Sequence, residues 1–417
     1  MTVYTGDWAG RLRAKGRFIE ALVSMHNLSV SRHELHKHEL GDPIQAGEHA
    51  ATDGGMNRRE LASYTFYAVR GYTVAYTREN EGYRPSWEEL YADIGIVIPP
   101  GREDTRVSMY RDIVEIWTAL KTVEHMNGGD SIYLGDGSVI SLVTEPVVHR
   151  LLRRRRGVGE LLRCIEDYTS IEELRSESLR EPLAARRLLG LDEEKVYTAN
   201  TDGGTPLGGE YYSDCATYAE FLEKSLLLME LFRSCWRRGI TPVYISKTSR
   251  TSFLYGDPYF TDLYIIYSID PFEPGFYLNK TRVREGIQTH LWMLKREGVV
   301  SSRDYFPGDS GLDEFYGDLA VFRFYARLQY STPVLKVEIP LSGGMWRDLT
   351  LTPGGENAEA LASQVTGRLL GLPLSEGYPL VLRRVHERSK ISPRELDYIV
   401  ESLGLNMRRG AREVLGE

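Results

Sequence analysis

Asp53 in Thr52-Asp53-Gly54-Gly55 and Asp136 in Leu134-Gly135-Asp136-Gly137-Ser138 each end or interrupt a run that reads as a β-strand. Between them, Glu115 falls within a helical pattern beside Val114 and Trp117, residues expected to face a sheet. An acid in that setting is costly unless it is exposed or liganded. Far downstream stand Ser246-Lys247, at the end of another strand-like run, and His386, after Gly377-Tyr378-Pro379-Leu380. Carboxylates converging from different elements can hold two divalent cations about 3.5–4 Å apart for attack of water on a phosphate ester. Magnesium and manganese both favour such oxygen ligands. A glycine after each aspartate suits close approach of a phosphate to the backbone. A lysine at a strand end can meet that phosphate, and a histidine can ligate a metal, carry a proton or touch the phosphate.

Each piece also has a plain reading. Asp-Gly-Gly and Asp-Gly-Ser are common turns, Glu115 can be a solvated helix-face acid, and lone lysines and histidines are common at surfaces. Glu124, from the same helix, is the rival of Glu115. It lies nine residues on, about half a turn round at roughly 100° per residue, so the two cannot face one site. Asp262, ahead of the apolar run Leu263 to Ser268, is a weaker candidate of the same kind as Lys247. His33, His36 and His38 have near-metal spacing, but their Glu/Lys-rich setting reads as a solvated helix face. The arginines 150 and 153–156 read as a charged surface or a contact to a nucleic-acid backbone.

The elements that must position these residues follow from periodicity. An amphipathic helix is expected from Gly10 to Leu35, with Phe18, Ile19, Leu22 and Met25 on one face. Ser63 to Val69 and Tyr72 to Tyr76, around Gly71, read as two adjacent antiparallel strands. Thr105 to Met126 reads as a helix stopped at Asn127-Gly128-Gly129. A short strand, Ser131 to Leu134, then delivers Asp136 and continues through Val139 to Val143. Residues 145–213 are charged and helical, an insertion or subdomain. A long helix, Tyr218 to Arg238, crosses over to a strand at Thr241–Lys247. Phe322–Leu328 and Val334–Ile339 form a hairpin, and Ala358–Leu370 and Pro393–Leu403 are helices. His386 is expected at the start of a helical stretch. The alternation is that of an α/β chain with a mixed sheet flanked by helices.

Bulk properties agree with a globular protein and discriminate little. The chain has 417 residues, 42% hydrophobic and 26% charged, with a net charge of −8, which argues against a protein that coats nucleic acid indiscriminately. There is no long apolar run and no signal-peptide core near the N-terminus, so a cytoplasmic location is the default. Three widely spaced cysteines, Cys164, Cys215 and Cys235, suggest neither a disulfide framework nor a zinc site. There is no P-loop and no nucleophile elbow.

Taken in order, these motifs resemble the archaeal NurA nuclease family. The resemblance rests on Asp53-Gly54, Glu115, Asp136-Gly137-Ser138, Ser246-Lys247, Pro333-Val334-Leu335-Lys336-Val337-Glu338-Ile339-Pro340, and Gly377-Tyr378-Pro379 followed by His386. It spans residues 45 to 400. Asp53 departs mildly, being followed by Gly-Gly rather than Gly-Ser, and the Glu115–Asp136 spacing keeps Glu124 open. The resemblance implies an RNase H-like core and a single nuclease domain over 1–417. Its parts would be an N-terminal helical segment (1–44), a first half of the core (45–144), a helical insertion (145–215) and a second half with C-terminal helices (216–400). It implies Asp53, Glu115, Asp136 and His386 as metal ligands, with Lys247 on the phosphate, and Mn2+ (or Mg2+) as cofactor. It further implies a DNA exonuclease running 5′ to 3′ with single-strand endonuclease activity. Such a nuclease is expected to be a homodimer working with a hexameric HerA-type helicase in end resection and double-strand break repair, in a thermophilic archaeon. The competing readings are a metal-dependent phosphatase or nucleotide hydrolase on the same carboxylates, and a non-catalytic protein that docks the helicase.

Overall fold

The computed structural model describes residues 34–404 apart from 62–63, 81, 146–147, 149, 153–158, 192–209, 258–259, 280–305 and 351–354, together with residues 15, 16, 18 and 20. Most of the expected N-terminal helix, His33 and the arginines 153–156 lie outside the described residues.

β-Branched and aromatic residues between positions 48 and 96 build a long meander after a short strand β1 (Lys37–His38): β2 (Glu48–Leu61), β3 (Tyr64–Glu79) and β4 (Gly82–Ile96). The two strands expected around Gly71 are one. Gly71 pairs with Gly54 in the middle of an unbroken β2–β3 ladder and makes no turn. Helix α1 (Glu103–His125) follows, ending in an extended Met126, and leads to β5 (Ile132–Asp136). The expected extension of that strand through Val143 is instead a short helix, α2 (Val139–Val143). Gly137, at φ 114°, breaks the strand, and Val139 and Val143 are buried one helical turn apart.

The middle of the chain is helical, with α3 (Gly159–Glu166), α4 (Ile171–Arg180), α5 (Ala184–Leu188) and the long α6 (Glu210–Arg238). There Cys164 of α3 is disulfide-bonded to Cys215 of α6, with Cα atoms 6.4 Å apart, and Cys235 is free and buried. This corrects the expectation from spacing alone. The 51-residue separation hides a pairing that helix packing creates. The crossover ends in β6 (Thr241–Ser246), parallel to β5. Then come α7 (Asp262–Ile269), β7 (Gly275–Tyr277), α8 (Leu312–Asp318) and the expected hairpin of β8 (Ala320–Arg327) and β9 (Leu335–Leu341). The chain closes with α9 (Gly343–Thr350), α10 (Glu356–Leu370), the small pair β10 (Leu374–Ser375) and β11 (Tyr378–Pro379), α11 (Leu380–Ser389) and α12 (Pro393–Ser402).

Nine strands form one mixed sheet in the order β1-β7-β8-β9-β6-β5-β2-β3-β4. His38 therefore belongs to a strand, pairing with Phe276 and bonding Glu359, and not to a solvated helix face. The period-2 alternation divides the sheet's two faces between two cores. Ala50, Tyr133 and Tyr244 pack with α1, α6 and the helical middle. Ala51, Leu134, Val243 and Ile245 pack with residues of α10 and α11. Helices thus cover both faces of the central strands, the arrangement that parallel neighbours such as β2, β5 and β6 require. Each large apolar side chain so buried contributes about 1.5–3 kcal/mol. No helix among the described residues is long and apolar enough to cross a membrane.

Candidate metal-dependent active site

Register alone brings the two aspartates together. Thr52 of β2 pairs with Gly135 of the parallel strand β5. Asp53 and Asp136 are the next residues on each strand, so their side chains leave the same face on neighbours about 4.8 Å apart. That face is covered by α11, whose last turn supplies His386. The imidazole was expected at the start of this helix, but the helix begins earlier, at Leu380. His386 Nδ1 lies 2.8 Å from Asp53 Oδ2, which also accepts a hydrogen bond from Ser389 Oγ at 3.0 Å. One ligand atom each from Asp53, Asp136 and His386 lie within 4.8 Å of one another.

Glu115 arrives from the opposite face of the sheet. A Cβ on Gly54 would fall 2.7 Å from Glu115 Oε2, and one on Gly71 would fall 2.7 Å from the Val114 carbonyl oxygen. The paired glycines therefore form a gap into which α1 settles. Gly55 has a similar role on the other face, where a side chain would overlap the Ser389 carbonyl. Thus Asp53-Gly54-Gly55 is continuous strand and not a turn. Its glycines admit the neighbouring helices, and Gly54 also borders the open space beside the acids.

Glu115 is buried, whereas Glu124 is exposed and paired with Lys121 at 3.6 Å, away from the aspartates. Burial raises the Glu115 carboxyl well above its usual range, reinforced by the charge of Asp53 and opposed by Arg111. Asp136 is also raised, by burial and by Asp53, against the pull of Tyr378, His386 and Lys247. Three carboxylates crowded into a partly desolvated space resist carrying full charge together. A divalent cation would relieve that repulsion, so the residues present fit one.

Lys247 stands just beyond β6 with its ammonium 3.6 Å from the centre of the Tyr378 ring. The Tyr378 hydroxyl is buried beside Asp136, short of hydrogen-bond geometry. Tyr378 belongs to the Gly-Tyr-Pro segment, which sequence reading used as a landmark without giving the tyrosine a role. Arg111 was missed altogether. It lies one turn before Glu115 on α1 and bonds Asp112, which Lys224 of α6 also meets at 3.3 Å. Its i, i+4 spacing to Glu115 was the available signal. Asp262 lies elsewhere, fully buried, accepting from the backbone of Leu254 and Tyr255 and from the Tyr325 hydroxyl. Asp53, Glu115, Asp136, Lys247 and His386 all line one open cleft of about 710 Å³.

A family model of the NurA domain matches residues 48–391. The chain belongs to the NurA family. No curated protein matches it by sequence. Among solved structures, the NurA nuclease from Sulfolobus solfataricus superposes with a TM-score of 0.56 at 16% identity, covering 95% of this chain and 98% of that one. A NurA structure with manganese gives 0.54 at 14% identity, covering 93% and 98%. One bound to dAMP and manganese gives 0.50 at 16% identity, covering 96% of both chains. The mixed nine-stranded sheet flanked by helices is the RNase H-like NurA fold. As a NurA nuclease the chain is a phosphodiester hydrolase.

Proposed function

We propose that the cleft hydrolyses DNA phosphodiesters with manganese held by Asp53, Glu115, Asp136 and His386, magnesium being the alternative ion. The observation that carries this reading is the convergence of Asp53, Asp136 and His386 within ligand range of one point, with buried Glu115 against the same strand. Relatives of this fold have been crystallised with manganese, and one with dAMP as well. When bound, the cations supply Lewis-acid activation of water and neutralise charge on the leaving oxygen. The protein's own groups divide the remaining work. Ser389 and His386 fix the Asp53 carboxylate, and the Gly54 amide donates to its other oxygen at 2.8 Å. Holding Nδ1 against Asp53 orients the ring and leaves Nε2 as the nitrogen that would ligate the cation. Lys247, stacked on Tyr378, meets the phosphate charge.

The finer reading follows the family: a 5′ to 3′ exonuclease with single-strand endonuclease activity, homodimeric, partnered by a HerA-type hexameric helicase in end resection and break repair. The edge strand β4, with Leu90 and Ile94 exposed, supports association with a second copy. The domain division stays part of this proposal, with 145–215 as the helical insertion.

The test is digestion of end-labelled single- and double-stranded DNA with manganese, beside Asp136→Ala and a phosphomonoester. Metal-dependent DNA cleavage lost in the mutant is the expected result. Turnover of the monoester alone would move the reading to a phosphatase. Cleavage retained by the pure mutant would overturn the site.

A further inference from the structure

The cleft has a second half that the acidic site does not use. Asp136, Ile245 of β6 and Val337 of β9 lie in one row across the sheet. Lys336 and Glu338 flank that row two strands from Asp136, their backbones about 10 Å away at the usual strand spacing and their side chains on the sheet's other face. Arg323 of β8 pairs directly with Glu338. Glu338 is 0% exposed, and its Oε1 takes both Arg323 at 2.8 Å and Lys336 at 3.0 Å. Its Oε2 accepts from Ser138 Oγ at 2.6 Å, and Lys336 Nζ donates to the same hydroxyl at 2.9 Å. Ser138 is two residues from Asp136, so this cluster is tied to the turn that follows a proposed metal ligand.

Two cations are here shared by one carboxylate. Asp262 also acts on Arg323 through its charge. Its oxygens, however, are engaged by two backbone amides and the Tyr325 hydroxyl, and among the described residues it forms no ion pair with Arg323. Arg323 and Lys336 are only 5% and 4% exposed, yet both line the cleft, with exposed Arg250 at its rim. Partly desolvated positive charge of this kind is costly without an anion. Burial and the charge of Arg323 press the Lys336 ammonium downward against the pull of Glu338. The cleft thus holds Asp53, Glu115 and Asp136, with Arg111 and Lys247 beside them, at β2 and β5, and Arg323 and Lys336 at β8 and β9.

We propose that Arg323 and Lys336, with Arg250 at the rim, form a second phosphate site that grips a non-scissile phosphate of the same DNA strand. This rests on the nuclease reading above and deepens it. The cationic half fixes the strand's register so that one chosen diester reaches the acids. Such contacts position a backbone without reading its sequence. Glu338 and Ser138 orient the two cations toward the cleft.

The experiment compares wild type, Lys336→Gln and the exposed, fold-neutral Arg250→Gln. First, binding of a fluorescent single-stranded oligonucleotide is measured in EDTA over a range of salt. Each variant should weaken binding about 10-fold and reduce the slope of log K against log salt by about 0.7, the value of one lost phosphate contact on a single strand. Second, cleavage with manganese is measured on oligonucleotides carrying one neutral methylphosphonate, placed in turn at each position beside the cut. Wild type should lose about 10-fold or more at one position, and the variants should lose nothing further there. Lys336→Arg should restore the discrimination. Full salt slopes in both Gln variants, with additive losses on the neutralised substrates, would overturn the second site and leave the nuclease standing. Failure of wild type to bind or cut DNA would overturn the nuclease reading itself.

Discussion

Gly54 of β2 and Gly71 of β3 are register partners, and the helix bearing Glu115 lies in the gap that their missing side chains leave. The two positions are not equivalent. At Gly54 an added Cβ meets side-chain atoms alone, the Glu115 carboxylate and Cβ and the Arg111 Cγ; at Gly71 it also meets the Val114 backbone. Gly54→Ala should therefore cost less stability than Gly71→Ala while displacing Glu115 and lowering cleavage by about 10²-fold, since small misplacements at a reacting centre are that costly. Gly71→Ala must push the helix itself and should destabilise by about 1–3 kcal/mol. Thermal melts beside DNA cleavage rates check both. Equal behaviour of the two variants would show that the gap does not set the position of Glu115.

The assignment of Asp53 and Asp136 can be tested apart from activity. Calorimetric titration of manganese should find high-affinity binding weakened or lost in Asp53→Ala and Asp136→Ala, with cleavage falling by roughly 10³-fold or more. Ser389→Ala removes only a hydroxyl that orients Asp53. It should weaken manganese binding about 10-fold while leaving measurable cleavage, as loss of a ligand-orienting hydrogen bond does. Unchanged manganese affinity in both aspartate variants would remove them from the metal site.

The crowded carboxylates also make a stability prediction with a definite sign. The folded chain holds Glu115 above its usual 4.5 and Asp136 above its usual 3.8, through burial and the charge of Asp53. Each therefore favours the protonated folded state. Their stabilising contribution is full below those unfolded values and is lost as pH rises through the folded ones. Metal-free protein should lose melting temperature on going from about pH 5 to about pH 8, and Glu115→Gln should flatten part of that fall. Manganese, which needs the deprotonated ligands, should raise the melting temperature more at the higher pH. A wild-type profile parallel to that of Glu115→Gln would contradict the sign.

The same geometry explains what could be read from sequence. Asp53, Glu115, Asp136, Lys247 and His386, which line one cleft, stand out in the sequence as candidates because each sits at a strand end, on a helix with clear periodicity, or in a short ordered motif. The role of Gly54 and Gly55 was not, since a sequence cannot say whether a glycine makes a turn or admits a neighbouring helix. Gly71 misled for that reason, splitting one strand into two. Val139–Val143 reads as strand because four apolar residues in five carry no decisive period. β4 escaped because an edge strand with charged and polar residues lacks the apolar alternation of a half-buried one. Arg323, Lys336 and the Cys164–Cys215 pair depend on packing between distant segments, which no local pattern encodes.

Helix α1 owes its position to more than the glycine gap. Arg106, two and a half turns before Glu115 and so on the other side of α1, is fully enclosed. Its guanidinium meets Glu220 of α6 through Nε at 2.9 Å and Nη2 at 2.5 Å, and it also donates to the carbonyls of Ile98 and Pro99. The Tyr110 hydroxyl donates to the same carboxylate at 2.6 Å. Removing one partner of such a pair leaves the other charge buried alone, so Arg106→Met or Glu220→Leu should each cost about 3–5 kcal/mol. The double variant Arg106→Met/Glu220→Leu leaves neither charge behind and should recover a large part of that loss. Urea denaturation of the four proteins gives the coupling energy directly, as long as each unfolds in one transition. Because α1 carries Glu115, the single variants should also bind manganese more weakly in the folded state, with the double variant intermediate. Additive losses in stability would mean that the pair does not hold the two helices together, and that the glycine gap alone places Glu115.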